Sequence, residues 1–158
     1  MNELEKSLKE NGIYVTLTKG DSMTPMLTEG KNKVVIVPPE FPLKKFDVPV
    51  YRRMGHYTMH RIIGTGKNGY IICGDNRTRL ERDITDEDIV GMLDGFFAGD
   101  RYISRTDKEF VSFGKKACRT YWIRLAKRYV KAILRRIKEC GVLKRPRPQK
   151  GKNNTDFR

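Results

Sequence analysis

Long apolar runs are missing from the 158-residue chain. Nowhere does it reach the ~18 consecutive apolar residues that cross a bilayer, which excludes an integral helix. A secretory leader is not expected either, because Glu3, Glu5 and Lys6 stand where an apolar run would be needed. Cysteine is scarce. Cys73, Cys118 and Cys140 are odd in number and widely spaced, a pattern that fits neither a disulfide framework nor a zinc site built on paired short spacings. A reducing compartment is the expected home, with no cofactor and no metal. Histidine is scarcer still, so any chemistry that needs an imidazole must use His56 or His60.

Acidic residues are almost absent from one end. From Lys115 to Arg158 there are 16 Lys and Arg against Glu139 and Asp156, so the whole net charge of +14 lies there, while residues 1–114 carry 17 of each sign. A polyanionic partner would therefore meet the C-terminal part, and the body has no strong field of its own. The length allows one domain with a real core plus an appendage.

Four segments follow from the patterning. Residues 1–12 place Leu4 and Leu8 four apart among charges before Asn11-Gly12, which predicts a short helix. Residues 13–114 read as a β domain. Ile13 to Leu17 and Lys33 to Val37 are expected strands, Phe41 to Phe46 a loop, and Asp47 to Arg53 a strand that Pro49 restricts to an edge or a bulge. A single strand from His56 to Ile63 is expected to turn through Asn68-Gly69 and return along Tyr70 to Cys73. A charged segment follows through Asp88, and Ile89 to Phe97 is extended, with Gly91 and Gly95 marking a bend or bulge. Residues 115–143, where Trp122, Leu125, Tyr129, Ile133, Ile137 and Cys140 recur every three or four positions between basic residues, predict a basic amphipathic helix. Residues 144–158, rich in Pro, Asn and basic groups, are expected to be disordered.

Ser22 stands in a break between strands, inside Gly20-Asp21-Ser22-Met23-Thr24-Pro25. Pro25 fixes φ and lacks an N–H, so a turn or a single helical turn follows. Taken alone, Ser22 reads equally as turn or N-cap chemistry, His60 as an ordinary sheet histidine and Asp75 as a turn residue. Together and in order, with Met59-His60-Arg61-Ile62-Ile63 and Gly74-Asp75-Asn76 interleaved with Asp47-Val48-Pro49-Val50-Tyr51, these pieces resemble the type I signal peptidases. They also resemble the wider serine peptidase superfamily that includes the self-cleaving SOS repressors. The resemblance covers about residues 13–100.

The resemblance implies a mainly β, signal-peptidase-like or repressor-peptidase-like fold flanked by the two helices, and a serine endopeptidase. Ser22 matches the nucleophile of the family's Ser-Met-x-Pro box. The family's base is a lysine in most bacterial members and a histidine in the archaeal and endoplasmic-reticulum type, and His60-Arg61 here is similar to the histidine branch. A hydroxyl is a weak nucleophile without a base in contact, and an imidazole with an unperturbed pKa near ~6.5 suits that task. A third group, an acid, usually orients such a base. Asp75 matches the family's box and ranks first as a site residue, Asp83 second as the orienting acid and Glu81 third. His56 reads as a surface group.

The implied partner is a peptide or protein precursor added as a β-strand and cleaved after small residues. Signal peptidases carry membrane spans, and here the helix of residues 115–143 could instead lie on an anionic membrane surface, each basic group contributing ~1 kcal/mol, or pack its apolar stripe on the body with its charges outward in solvent. The expected location is cytoplasmic, peripheral on the inner face of the membrane where that helix engages lipid. Nucleic acid fits the charge but lacks a recognition module. A non-catalytic peptide-binding module of the same fold is the alternative from another class. A repressor fragment fits less well, because the one Ala-Gly pair, Ala98-Gly99, follows Ser22 instead of preceding it.

Overall fold

The computed structural model describes residues 2–139. Residues up to Leu125 form one compact unit and those from Ala126 a second. Cys140, the end of the basic helix expected over 115–143 and the segment 144–158 lie outside the described residues.

The chain opens with helix α1, Glu3–Asn11, which ends on Gly12 at φ 69°, the left-handed conformation that glycine adopts without a Cβ penalty. Its Leu4 and Leu8 are buried, as the four-residue spacing predicts. Strands β1 (Tyr14–Leu17) and β2 (Lys33–Val37) pair antiparallel, with Tyr14 opposite Ile36 and Leu17 opposite Lys33. Strand β3 (Pro49–Arg53) pairs with β4 (His56–Met59), and β8 (Ile89–Ala98) joins β2 to β3. The order β1-β2-β8-β3-β4, with β9 (Arg101–Ser104) also on β8, makes a curled, open half-barrel in which β1, β4 and β9 each pair on one side only among the described residues.

Pro49 is accommodated as the first residue of an internal strand. The register against β8 shifts between Val50 and Tyr51, the bulge that the missing N–H foretells. A second sheet of three strands, β5 (Arg61–Gly66), β6 (Gly69–Cys73) and β7 (Glu81–Ile84), holds the Asn68-Gly69 hairpin. One expectation is corrected here. The strand foreseen from His56 to Ile63 is two strands, β4 and β5, which belong to different sheets and meet at His60.

The core lies on the inner face of the half-barrel, where Leu4, Leu8, Val34, Ile36, Val50, Leu93 and Phe96 pack with Met23, Met26 and Leu27 of the Ser22 loop. A smaller cluster joins Ile62, Tyr70, Ile72 and Ile84 of the second sheet to Tyr51 and Met92. Helix α2, Lys108–Glu139, starts at Lys108 and not near Lys115. Its first turns, which are part of the first unit, bury Phe110, Gly114, Ala117 and Tyr121, a stripe at spacings of four, three and four. With 32 residues in this helix the architecture is mixed α/β, not mainly β.

The hairpin that feeds the second sheet depends on Gly69. At φ 144° a Cβ there would sit 2.4 Å from the Ile84 carbonyl oxygen on β7, so both backbone strain and a backbone clash oppose any side chain. Gly69→Ala should lower the unfolding free energy by about 2 kcal/mol or more, read as a lower urea midpoint at unchanged slope.

Candidate functional site

The Ser22 loop is closed at its ends before it presents anything. Thr18 donates its hydroxyl to the Thr28 carbonyl at 2.7 Å, and its carbonyl accepts the Gly30 N–H at 2.9 Å. Inside the loop Gly20 turns at φ 77°, the Thr24 N–H reaches the Asp21 carbonyl, and the Leu27 N–H the Met23 carbonyl. Met23, Met26 and Leu27 are buried and anchor this turn to the core, which leaves Ser22 half-buried at its crest.

The second piece, Gly74-Asp75-Asn76, leaves the end of β6 and is fastened to that crest. The Asn76 N–H donates to the Ser22 carbonyl at 2.8 Å, and Arg77 is ion-paired with Asp21. Gly74 is what lets the third piece approach. A Cβ on Gly74 would lie 2.8 Å from the Ser22 carbonyl oxygen and 3.1 Å from His60 Cδ2, so the serine backbone and the imidazole border the same small space, which a side chain would fill.

His60 occupies the junction of the two sheets, with its side chain 12% exposed. Its Nδ1 is 2.8 Å from Glu81 Oε1 and 3.1 Å from the Tyr51 hydroxyl, and the other Glu81 oxygen is paired with Arg53. Tyr51 and Arg53 are two apart on β3 and so share a face. Glu81 opens β7, in a charged stretch with no apolar alternation to mark a strand. The Glu81 carboxylate accepts the proton on Nδ1, which leaves Nε2 as the ring's acceptor. Among the described residues no hydrogen bond joins Ser22 Oγ to His60, and both Oγ and Nε2 keep contact with solvent. The backbone N–H groups of Ser22 and Met23 likewise make no hydrogen bond among the described residues.

The electrostatics favour a neutral imidazole above an ionised acid. Burial pushes the His60 pKa below its ordinary value, and the hydrogen bond and charge of Glu81 recover only part of the shift. Burial alone would raise the Glu81 pKa, but hydrogen bonds from Tyr51 and His60 and the charge of Arg53 outweigh it and hold the carboxyl low. Burial also pushes the Cys73 thiol up to about 11, which keeps it protonated near neutral pH and removes it as a rival nucleophile.

The three candidate acids separate. Glu81, ranked last from sequence, is the one on His60. Asp83 is exposed on the same strand at φ 60° and makes no hydrogen bond to His60. Asp75 gives both oxygens to Arg61, accepting from Nε at 2.8 Å and from Nη2 at 2.7 Å, and the pair is almost fully buried, at 0 and 2% side-chain exposure. Its influence on His60 is that of its charge, the smallest of the named causes, with no hydrogen bond between them among the described residues. His56 is exposed on β4, as its surface reading requires. Sequence reasoning passed over Tyr51, Arg53 and Arg61. The period-two spacing of Tyr51 and Arg53 was a signal for the first two, and only the fold reveals the buried Arg61.

A groove of about 430 Å³ opens beside Ser22. Its sides come from two edge strands, with Tyr14 and Thr16 on β1 and Tyr57, Thr58 and Met59 on β4, and the buried Ile36 and Val50 also line it. Ser22 lines it, whereas His60 lies outside the lining. Against known proteins, no family model and no curated protein matches the chain.

Removing one member of a buried ion pair leaves the other charged and unpaired, which costs about 3–5 kcal/mol. Asp75→Asn should therefore destabilise the protein by about that amount in urea denaturation. Arg61→Met combined with Asp75→Leu should recover much of the loss, because an apolar pair removes the stranded charge.

Proposed function

We propose that the protein is a serine endopeptidase of the signal-peptidase-like type, with Ser22 as nucleophile, His60 as general base and Glu81 as the acid that orients it. The observation that carries this reading is the convergence at Gly74, where Ser22 and an imidazole already fixed at Nδ1 by a carboxylate border one space. With its proton held on Nδ1, His60 takes the Ser22 proton at Nε2 as Oγ attacks the scissile carbonyl, and returns it to the leaving amine. The unengaged N–H groups of Ser22 and Met23 are the natural donors to the oxyanion. Catalytic hydrogen bonds often close only when substrate binds, so the unmade Oγ to Nε2 bond is compatible with this chemistry.

The substrate is a peptide or precursor laid as an extra strand along the groove beside Ser22. Edges β1 and β4 offer it backbone hydrogen bonds, and the apolar lining offers shallow pockets for alternate side chains. The fold assignment to the signal-peptidase and repressor-peptidase superfamily belongs to the same proposal, supported by the order Ser22, His60, Asp75 along the chain and by the half-barrel between them. A second reading, a peptide-binding module without catalysis, is favoured by the missing hydrogen bond between Ser22 and His60.

An acylating serine-hydrolase probe separates the two readings. Wild type should be labelled at Ser22, and labelling should vanish in Ser22→Ala and in His60→Ala. A folded wild type that stays unlabelled by a probe suited to this superfamily would establish the binding module instead.

The pH profile carries its own expectation. A protonated imidazole cannot accept a proton, so activity is full above the His60 pKa and lost as pH falls through it. Because burial depresses that pKa, the acid limb of kcat/KM should have its midpoint below 6.5. Glu81 raises the His60 pKa, so Glu81→Gln should move the limb to still lower pH while cutting kcat by roughly 10²–10⁴-fold through loss of orientation.

A further inference from the structure

The part of α2 that falls in the second unit, residues 126–139, exposes Tyr129, Val130, Ile133, Leu134 and Ile137 at 64, 56, 57, 54 and 39%. At 3.6 residues per turn these five fall within one arc roughly 140° wide. Lys127 and Arg136 stand at its two borders, and Arg128, Lys131, Arg135 and Lys138 fill the opposite side. The segment has six basic residues and one acid, Glu139, which accepts from Arg135 Nε at 3.0 Å. No helix among the described residues is long and apolar enough to cross a membrane.

We propose that this helix lies in the plane of an anionic phospholipid surface, with the Tyr129 to Ile137 stripe in the acyl boundary and the basic side chains on the headgroups. The charge and the apolar stripe have to be satisfied together. A nucleic acid would meet the basic side and leave five large apolar side chains in water. A second copy would cover the stripe but bring another set of cations to the same rim. An acidic groove in a protein reaches the stripe and its borders, whereas here the charge continues round the far side of the helix. In the sequence it continues further, through six more Lys and Arg between Lys144 and Arg158. A broad, continuous anionic surface answers charge spread in that way, and long Lys and Arg stems at the border can lie along apolar surface with their heads among phosphates. This inference does not rest on the peptidase reading, and Ser22→Ala should bind vesicles as wild type does.

Co-sedimentation of the full chain with vesicles in ~0.15 M salt is the test. Binding to mixed phosphatidylcholine and phosphatidylglycerol should exceed binding to phosphatidylcholine alone by ~10-fold or more. Replacing Ile133, Leu134 and Ile137 by Gln should abolish most of the binding, and so should replacing Lys127 and Arg136 by Gln. These are exposed positions, and circular dichroism should show the helix retained. The proposal is overturned if wild type stays in the supernatant with anionic vesicles, or if the Ile133, Leu134 and Ile137 variant binds them as well as wild type. It is equally overturned if duplex DNA or RNA displaces the vesicles, or if sedimentation shows the stripe covered by a second copy.

Discussion

Arg61 is a guanidinium with no exposed surface, and four pieces of chain are arranged to make that tolerable. Two of its nitrogens grip both oxygens of Asp75 beyond β6, a third reaches the Phe46 carbonyl in the loop before β3, and Nη2 also approaches the Met26 sulfur in the Ser22 loop. The Phe110 ring of α2 covers the cation at 5.5 Å, and Gly114 on the same helix leaves room for it. Burying such a charge costs several kcal/mol unless every donor is answered. The arrangement therefore acts less as a source of stability than as a condition that the Ser22 loop, the second sheet and the first turns of α2 must all meet at once.

Position in the sequence links that condition to the candidate chemistry. Arg61 follows His60 and Asp75 follows Gly74, so the residues locked in the buried pair are immediate neighbours of the two that border the Ser22 backbone. Fixing Arg61 and Asp75 fixes the backbone from which the imidazole and the glycine approach. The Gly74-Asp75-Asn76 segment thus holds its aspartate for the buried pair with Arg61, while the carboxylate that meets the imidazole arrives from β7.

Much of the body was legible beforehand. Leu4 and Leu8 announced α1, the Val34 to Val37 run announced a buried strand, and Asn68-Gly69 announced the hairpin, because each depends on local periodicity or turn chemistry. The break at His60 was not legible. His56 to Ile63 contains no proline or glycine, and only the pairing of its halves with different partners divides it. Glu81 was under-ranked for a related reason: Glu81-Arg82-Asp83-Ile84 has no apolar alternation, so nothing local said that it forms a strand or which carboxylate faces inward. The early start of α2 was readable in Phe110, Gly114, Ala117 and Tyr121, but the change of charge at Lys115 drew the boundary in the wrong place.

The passage of the chain from one sheet to the other at His60 has a mechanical side. Met59 is the last residue of an edge strand, and the next residue carries the imidazole, with no linker to absorb motion. A guest strand hydrogen-bonded along β4 would turn that edge into an interior strand and stiffen the backbone one peptide away from the ring. Occupancy of the groove would then be transmitted along the main chain itself, and the imidazole would be steadied by the very act of loading the groove.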